Sequence, residues 1–291
     1  MPQEHTRPSP GVTTIGDALA NRYLLLRLLS EGRRSKVYAA RDARTGSLVA
    51  IKALTQRGCL SCRDCHACIM REAFILGRLS HPNVIRCLAD HSDAPQPFLA
   101  LDLAPDGSLQ DRMDQGGPLR RRAALLMGLS LIDALEVCHA AGVVHRDIKP
   151  QNVLFQHQRT LLADFSVSMH PALSPPPTLR AGAFLAPEVM RADATLTPRA
   201  DLYGLCATLY YALTGWNPYR IFDASADSPR WASLDEASRD LLYRGTRPDP
   251  RARIPGLATL KAEVLHILAS TPSEPTSLHR PSPPPDSTDL S

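Results

Sequence analysis

One run of eight residues limits this chain more than any other: His145-Arg146-Asp147-Ile148-Lys149-Pro150-Gln151-Asn152. It follows an apolar, helix-like stretch and precedes the apolar pair Val153-Leu154. Charged and amide groups crowded between two apolar segments are either a polar turn from helix to strand or a site of chemistry. The spacing allows the second reading. Asp147 can accept a proton from an attacking hydroxyl. Lys149, two residues on, can neutralise charge on a transferring phosphoryl group. Asn152, five residues after the carboxylate, can turn back to hold Mg²⁺.

The flanking stretches are taken in chain order. Met1 to Asn21 is polar and Pro-rich at its start and reads as a disordered tail. Tyr23 to Leu29 is a strand-like apolar run, followed by a hairpin from Ser30 to Tyr38 with Gly32 inside it and Arg33 and Arg34 at its tip. Thr45-Gly46 is a turn between strands. Val49-Ala50-Ile51 is a strand that ends in Lys52, and Glu72 follows on a helical pattern. Val84 to Leu103 reads as two strands. Ser108 is an N-cap candidate, and Pro118 to Ala141 a long helix. Beyond Asn152 come Ala163-Asp164-Phe165-Ser166, Ala186-Pro187-Glu188, a helix opening near Asp201, and Asp249-Pro250-Arg251-Ala252-Arg253. The segment from Ser270 is rich in Pro, Ser and Thr and reads as a second disordered tail over 270–291.

These stretches, in this order, resemble the serine/threonine protein kinases of bacterial type, over roughly Tyr23 to Leu268. The eight-residue run matches the catalytic loop H-R-D-x-x-x-x-N, Val49 to Lys52 the V-A-I-K strand, and Ala186 to Glu188 the A-P-E motif. Lys149 favours Ser/Thr over tyrosine kinases. The resemblance implies an α+β, two-lobed fold, with a β-rich N-lobe at 22–103, a mainly helical C-lobe at 104–269 and ATP between them. It implies transfer of the γ-phosphoryl of ATP to Ser or Thr of protein substrates. Asp147 would be base and hydroxyl positioner, and Lys149 would stabilise transferring charge. Lys52, paired with Glu72, would hold the phosphates, and Asn152 and Asp164 would hold Mg²⁺. Leu29, Gly32, Val37, Ala50, Leu101 and Leu154 would line the nucleotide site, with backbone groups of Asp102 and Leu103 on the adenine edge. Asp201 would hold the backbone of the catalytic loop, and Arg253 would pair Glu188. Ser168, Ser174 and Thr178 are candidate autophosphorylation sites, with Arg146 as the cation a phosphate would meet.

The chain departs from the family pattern in four places. Ser30 and Ser35 replace the outer glycines of the phosphate-covering loop, Ser166 replaces the glycine of D-F-G, and Ala181 stands where a Thr is usual. These departures would suit a pseudokinase scaffold, but Lys52, Glu72, Asp147, Asn152 and Asp164 are all present. A small-molecule kinase would not need Lys149, the A-P-E segment and Arg253.

Cys59, Cys62, Cys65 and Cys68 form a run of constant spacing. Thiolates so spaced can bind Zn²⁺ or an iron–sulfur cluster, or act as redox-active thiols, or do neither. In one straight helix they would fan across half the surface, so a shared ion needs turns in the segment. Cys68 lies one helical turn before Glu72, so a site here would make the chain a metal- or redox-responsive module acting through that helix. The other three cysteines, Cys87, Cys138 and Cys206, lie among apolar residues and read as buried small hydrophobes.

A formal charge of +4, with no basic run interleaved with aromatics, does not argue for nucleic acid. Ala123 to Val144 is interrupted by Asp133, Glu136 and His139, and reads as an amphipathic helix rather than a membrane span. With no signal-peptide core at its start, the chain reads as cytoplasmic and not membrane-bound. The oligomeric state stays open.

Overall fold

A computed structural model of the chain describes residues 15–16, 18–32, 35–54, 62–174, 182–190, 197–225 and 228–270. The chain divides into two compact units, one of residues up to Ala73 plus Arg86–Leu103, the other of Phe74–Ile85 plus the residues from Ala104 on. The division is α+β, with a sheet in the first unit and mostly helices in the second. Phe74–Ile85, expected within the N-lobe, belongs to the second unit.

The first unit is built on six antiparallel strands: β1 (Ala18–Leu19), β2 (Tyr23–Glu31), β3 (Ser35–Asp42), β4 (Leu48–Leu54), β5 (Cys87–His91) and β6 (Phe98–Asp102), in the order β1-β2-β3-β4-β6-β5. Folded structure therefore begins before Tyr23, since Ala18 pairs with Leu24. Side chains alternate across the pleat, and the alternation assigns each face. Tyr38, Ala40, Val49, Ile51, Ala53, Phe98 and Ala100 join Leu19, Tyr23 and Leu25 in one buried cluster. The register Val37↔Lys52 and Ala50↔Leu101 puts Val37, Ala50, Lys52 and Leu101 together on the other face. The β3–β4 turn forms as its sequence requires. Gly46 takes φ +73°, and Asp42 accepts from Arg22, from the Arg44 N–H and from the Thr45 hydroxyl. Helix α1 (Cys62–Leu76) follows β4.

The second unit surrounds helix α4 (Arg199–Thr214), which is buried on all sides from Ala200 to Tyr210. Helix α3 (Arg121–Ala140) packs beside it. By length and mean hydropathy (1.5) α3 could cross a bilayer, which its three interrupting polar residues do not prevent. In the protein it buries Ala124, Leu125, Leu131, Ile132, Leu135 and Cys138, while Lys261 pairs with its polar Asp133 and Glu136. Helix α2 (Leu109–Gly116) starts at Ser108, whose hydroxyl accepts from the Asp111 N–H while the Asp111 carboxylate accepts from the Ser108 N–H, a reciprocal cap. The hairpin β7 (Val153–Gln156) and β8 (Arg159–Leu162) follows the catalytic-loop run. Three further helices close the unit: α5 (Pro229–Ala232), α6 (Glu236–Gly245) and α7 (Leu257–Ala269). The short segment around α5 is anchored by Trp231, fully buried with its ring edge-on to those of Tyr210 and Tyr243.

Glu188 and Arg253 meet as expected, through two bonds of 2.7 Å. Arg253 also donates to the carbonyls of Arg199, Arg247 and Pro248, so every side of its buried guanidinium is used. Removing one partner of such a pair strands the other charge, at about 3–5 kcal/mol. Arg253→Met is therefore expected to lose that much unfolding free energy in denaturant titration. Arg220→Ala, which breaks an exposed pair with Asp223, is expected to lose less than about 1 kcal/mol.

Candidate active site

The catalytic-loop run is held from below by one carboxylate. Asp201, in the first turn of α4, is 1% exposed. Its Oδ2 accepts the His145 N–H at 2.8 Å and its Oδ1 the Arg146 N–H at 2.7 Å, and His139 Nε2 of α3 lies 2.9 Å from Oδ2. Arg146 sits at φ +72°, a left-handed conformation that costs a non-glycine residue of order 1–3 kcal/mol unless its surroundings impose it. The paired backbone bonds to Asp201 impose it. One turn on, the α4 backbone reaches the loop itself. A Cβ on Gly204 would lie 3.2 Å from Ile148 Cβ and 3.3 Å from its carbonyl, so a side chain there would crowd the loop by a few tenths of an ångström.

His145 is fully buried, and burial pushes its imidazole below its usual pKa, so it is neutral. Its Nδ1 accepts the Asp147 N–H at 3.3 Å, which assigns the proton to Nε2, and Nε2 donates to the Ala163 carbonyl at 3.1 Å. Its ring meets Phe165 edge-on at 4.7 Å. One side chain thus ties the residues before and after the β7–β8 hairpin to each other.

On this base the loop gathers its polar groups around Asp147. Lys149 Nζ donates to Asp147 Oδ2 at 2.6 Å. Asn152 Nδ2 donates to the Asp147 carbonyl at 2.7 Å and to Oδ2 at 3.1 Å. The expected turning back of Asn152 is visible here. It follows from the turn Pro150–Asn152, in which the Asn152 N–H meets the Lys149 carbonyl at 2.9 Å. The β7–β8 register Val153↔Leu162 then returns the chain, and the Ala163 N–H donates to the Asn152 carbonyl at 2.9 Å. Asp164 is consequently the neighbour of a residue bonded to Asn152. It too has a left-handed φ, +66°. A carboxylate and an amide oxygen are the hard oxygen donors Mg²⁺ takes, so the chemistry of Asp164 and Asn152 suits that ion.

In the first unit, Lys52 Nζ lies 2.5 Å from Glu72 Oε2, with both side chains buried. Lys52 on β4 and Glu72 on α1 are joined as expected. Of the nucleotide-site residues, Val37 and Leu29 are half-buried, Ala50 and Leu101 buried and Gly32 exposed, all in this unit, while Leu154 is half-buried on β7 in the second. The Asp102 N–H is already donated to the Arg86 carbonyl at 3.0 Å. Of the backbone groups expected on the adenine edge, the Asp102 N–H is thus engaged within the first unit.

Two expectations meet different outcomes. The first concerns the cysteine run. Cys59 lies outside the described residues, and Cys62, Cys65 and Cys68 all fall on the continuous helix α1. The side chains of Cys62 and Cys65 also lie outside the described residues. Cys68 is moreover buried, on the turn before Glu72. Among the described residues no group of three or more His, Cys, Asp or Glu side chains is placed to hold a metal ion. The thiols elsewhere are unreactive, since burial pushes Cys87 up to about 11 and Cys206 up to about 12.

The second concerns phosphorylation. Ser168 is fully buried, and its hydroxyl donates to the His145 carbonyl at 3.1 Å. A phosphate there would break that bond, so Ser168 serves as a tie between loop and hairpin exit, beside the Val144–Met169 bridge. Arg146 Nη1 donates to the Val167 carbonyl at 2.9 Å, so the expected phosphate-binding cation has a backbone partner. Ser174 is exposed, and Thr178 and Ala181 lie outside the described residues.

Sequence reasoning missed two residues of the site. His139, on Asp201, carried no signal beyond its place in a helix. Ser166 did carry one, being two residues after an Asp, where a hydroxyl reaches back to a carboxylate.

The family described as protein kinase domain matches residues 23–265. The chain belongs to the protein kinase family. It is 32% identical over 262 residues to CBL-interacting serine/threonine-protein kinase 16 of Arabidopsis thaliana, covering 81% of this chain and 55% of that protein. It is 31% identical to CBL-interacting protein kinase 4 of Oryza sativa subsp. japonica (82% and 56%) and 28% identical to calcium-dependent protein kinase 11 of Arabidopsis thaliana (81% and 51%). The chain spans about half the length of the relatives it matches. These relatives are plant proteins and lend no support to the narrower likeness to bacterial kinases.

The buried His145 links proton uptake to unfolding. Its folded pKa is depressed, so the unfolded chain binds a proton that the folded chain refuses. Stability contributed by this group is therefore present above the unfolded value of about 6.5 and declines as pH falls below it, by up to about 1.4 kcal/mol per unit. His145→Gln is expected to flatten that part of the stability–pH curve, measured by denaturant titration between pH 5 and 7 (both limits about the ordinary imidazole range). Asp201→Asn places an amide donor against backbone donors. It is expected to lower stability by at least about 1–3 kcal/mol and to reduce catalysis, read by thermal melting and phosphate transfer.

Proposed function

We propose that the chain is an ATP-dependent serine/threonine protein kinase. The observation that carries this reading is the cluster on one loop of Asp147, Lys149 and Asn152, with Lys149 at 2.6 Å and Asn152 at 3.1 Å from the same carboxylate oxygen. A substrate hydroxyl presented to Asp147 loses its proton to that carboxylate. Its oxygen forms the new bond to the γ-phosphorus as the bond to the bridging oxygen breaks and ADP leaves. Lys149 offsets negative charge on the moving phosphoryl group, which has three peripheral oxygens and little covalent help available from a protein. Lys52, fixed by Glu72, would hold the α- and β-phosphates. Asp164 and Asn152 would hold Mg²⁺, which when bound neutralises phosphate charge. The substrates proposed are proteins with accessible Ser or Thr. Ser174 and Thr178 remain the candidate sites of autophosphorylation.

Purified protein is expected to transfer phosphate from ATP to itself or to a generic protein acceptor. Kinase turnover is commonly about 1–100 s⁻¹. Asp147→Asn and Lys52→Met are each expected to reduce it by at least about a hundredfold, the scale of losing a positioned base. Transfer by Asp147→Asn at the wild-type rate would remove the assignment, and absence of transfer by wild type under all metal conditions would favour a pseudokinase.

A further inference from the structure

We propose that Ser166 is a positioning residue for Asp164, holding its carboxylate in the orientation that receives Mg²⁺ with the nucleotide. The proposal rests on the kinase reading above. Ser166 Oγ donates to Asp164 Oδ1 at 2.7 Å, and the Ser166 N–H approaches the same oxygen at 3.3 Å. Glycine, which the family pattern has at this position, would keep the N–H and lose the shorter bond. The hydroxyl is therefore this chain's own addition to the metal site.

The neighbouring residues show why an added tie matters. Asp164 is at φ +66°, outside the region where its backbone alone would settle. Phe165 is fully buried, with its ring against His145, so the residue between Asp164 and Ser166 cannot turn freely. The Asp164 carboxylate, half-buried, still has its own side-chain torsions. A hydroxyl bonded to Oδ1 removes part of that freedom before any ion arrives, which lowers the ordering cost of binding. Both Ser166 contacts fall on Oδ1. Neutral serine does this without adding charge, so attraction between carboxylate and cation is retained. A lysine or arginine in its place would cancel it.

The test is the Mg²⁺ dependence of ATP binding by calorimetry, without turnover, in wild type, Ser166→Ala, Ser166→Thr and Asp164→Asn. Ser166→Ala is expected to raise the Mg²⁺ concentration for half-saturation by about three- to tenfold, the scale of one partly solvated hydrogen bond. Ser166→Thr, which keeps the hydroxyl, is expected to stay nearer wild type. In kinetics, the loss in Ser166→Ala should fall on half-saturation by Mg²⁺ and ATP rather than on the rate at saturation. Melting of each variant without ligand separates this from a general loss of fold. If Asp164→Asn abolishes the Mg²⁺ effect while Ser166→Ala leaves it unchanged, the positioning role is overturned and the kinase reading stands. The same holds if Ser166→Thr loses as much as Ser166→Ala. If Asp164→Asn retains the full Mg²⁺ effect, the metal assignment of Asp164 falls, and the role of Ser166 with it.

Discussion

The Asp201 carboxylate is the interaction on which the second unit's chemistry depends. Two backbone N–H groups of the catalytic loop and one histidine of α3 converge on it in a place closed to water. A buried carboxylate is expensive unless every oxygen is satisfied, and here three donors satisfy it. The same bonds hold Arg146 in a conformation it would not keep in solution. Because Asp201 belongs to the most buried helix of the unit, the loop takes its position from the core rather than from its own turn propensities. Gly204 completes the arrangement by allowing that helix within touching distance of Ile148.

From this base the site is assembled by short links. His145, neutral because it is buried, joins Asp147 to the Ala163 carbonyl and supports Phe165. Ser168 and Arg146 add bonds between the loop and the segment after Asp164. Asp164, the second residue with a left-handed backbone, lies inside this set of ties. A left-handed backbone at Arg146 beside the proposed base and at the proposed metal ligand Asp164, each fixed by its neighbours, is how a packed protein keeps polar groups in place that would relax if left alone. In the first unit the corresponding link is Lys52–Glu72, buried and joining strand to helix.

The departures from the family pattern differ in consequence. Ser166 gains a bond to Asp164. Ser30 pairs with Val37 in the ladder between β2 and β3, where any strand residue would serve. Of the cysteine run, Cys62, Cys65 and Cys68 belong to helix α1, and Cys68 is buried one turn before Glu72.

Much of the site was legible in the order of residues because its chemistry is local. Asp147, Lys149 and Asn152 lie within six positions, and the turn that unites them is set by Pro150 and the apolar strand after it. Ser108 and Gly46 likewise specified a cap and a turn, whereas β4 and β6, apolar and buried on both faces, carried no alternation that would assign one. What sequence could not decide involved partners far along the chain or competition for one group. The burial of Ser168, the occupation of the Asp102 N–H by Arg86, and the place of His139 on Asp201 all depend on which distant backbone arrives first at a donor or acceptor. The boundary of the first unit was also decided in space, since Phe74–Ile85 lies with residues distant along the chain, such as His170 against Phe74. Local spacing determined which groups could react. Tertiary packing decided which of them were held, which were buried and which were already engaged, because a hydrogen bond or a buried face is satisfied by whatever is nearest in space, whatever its distance along the chain.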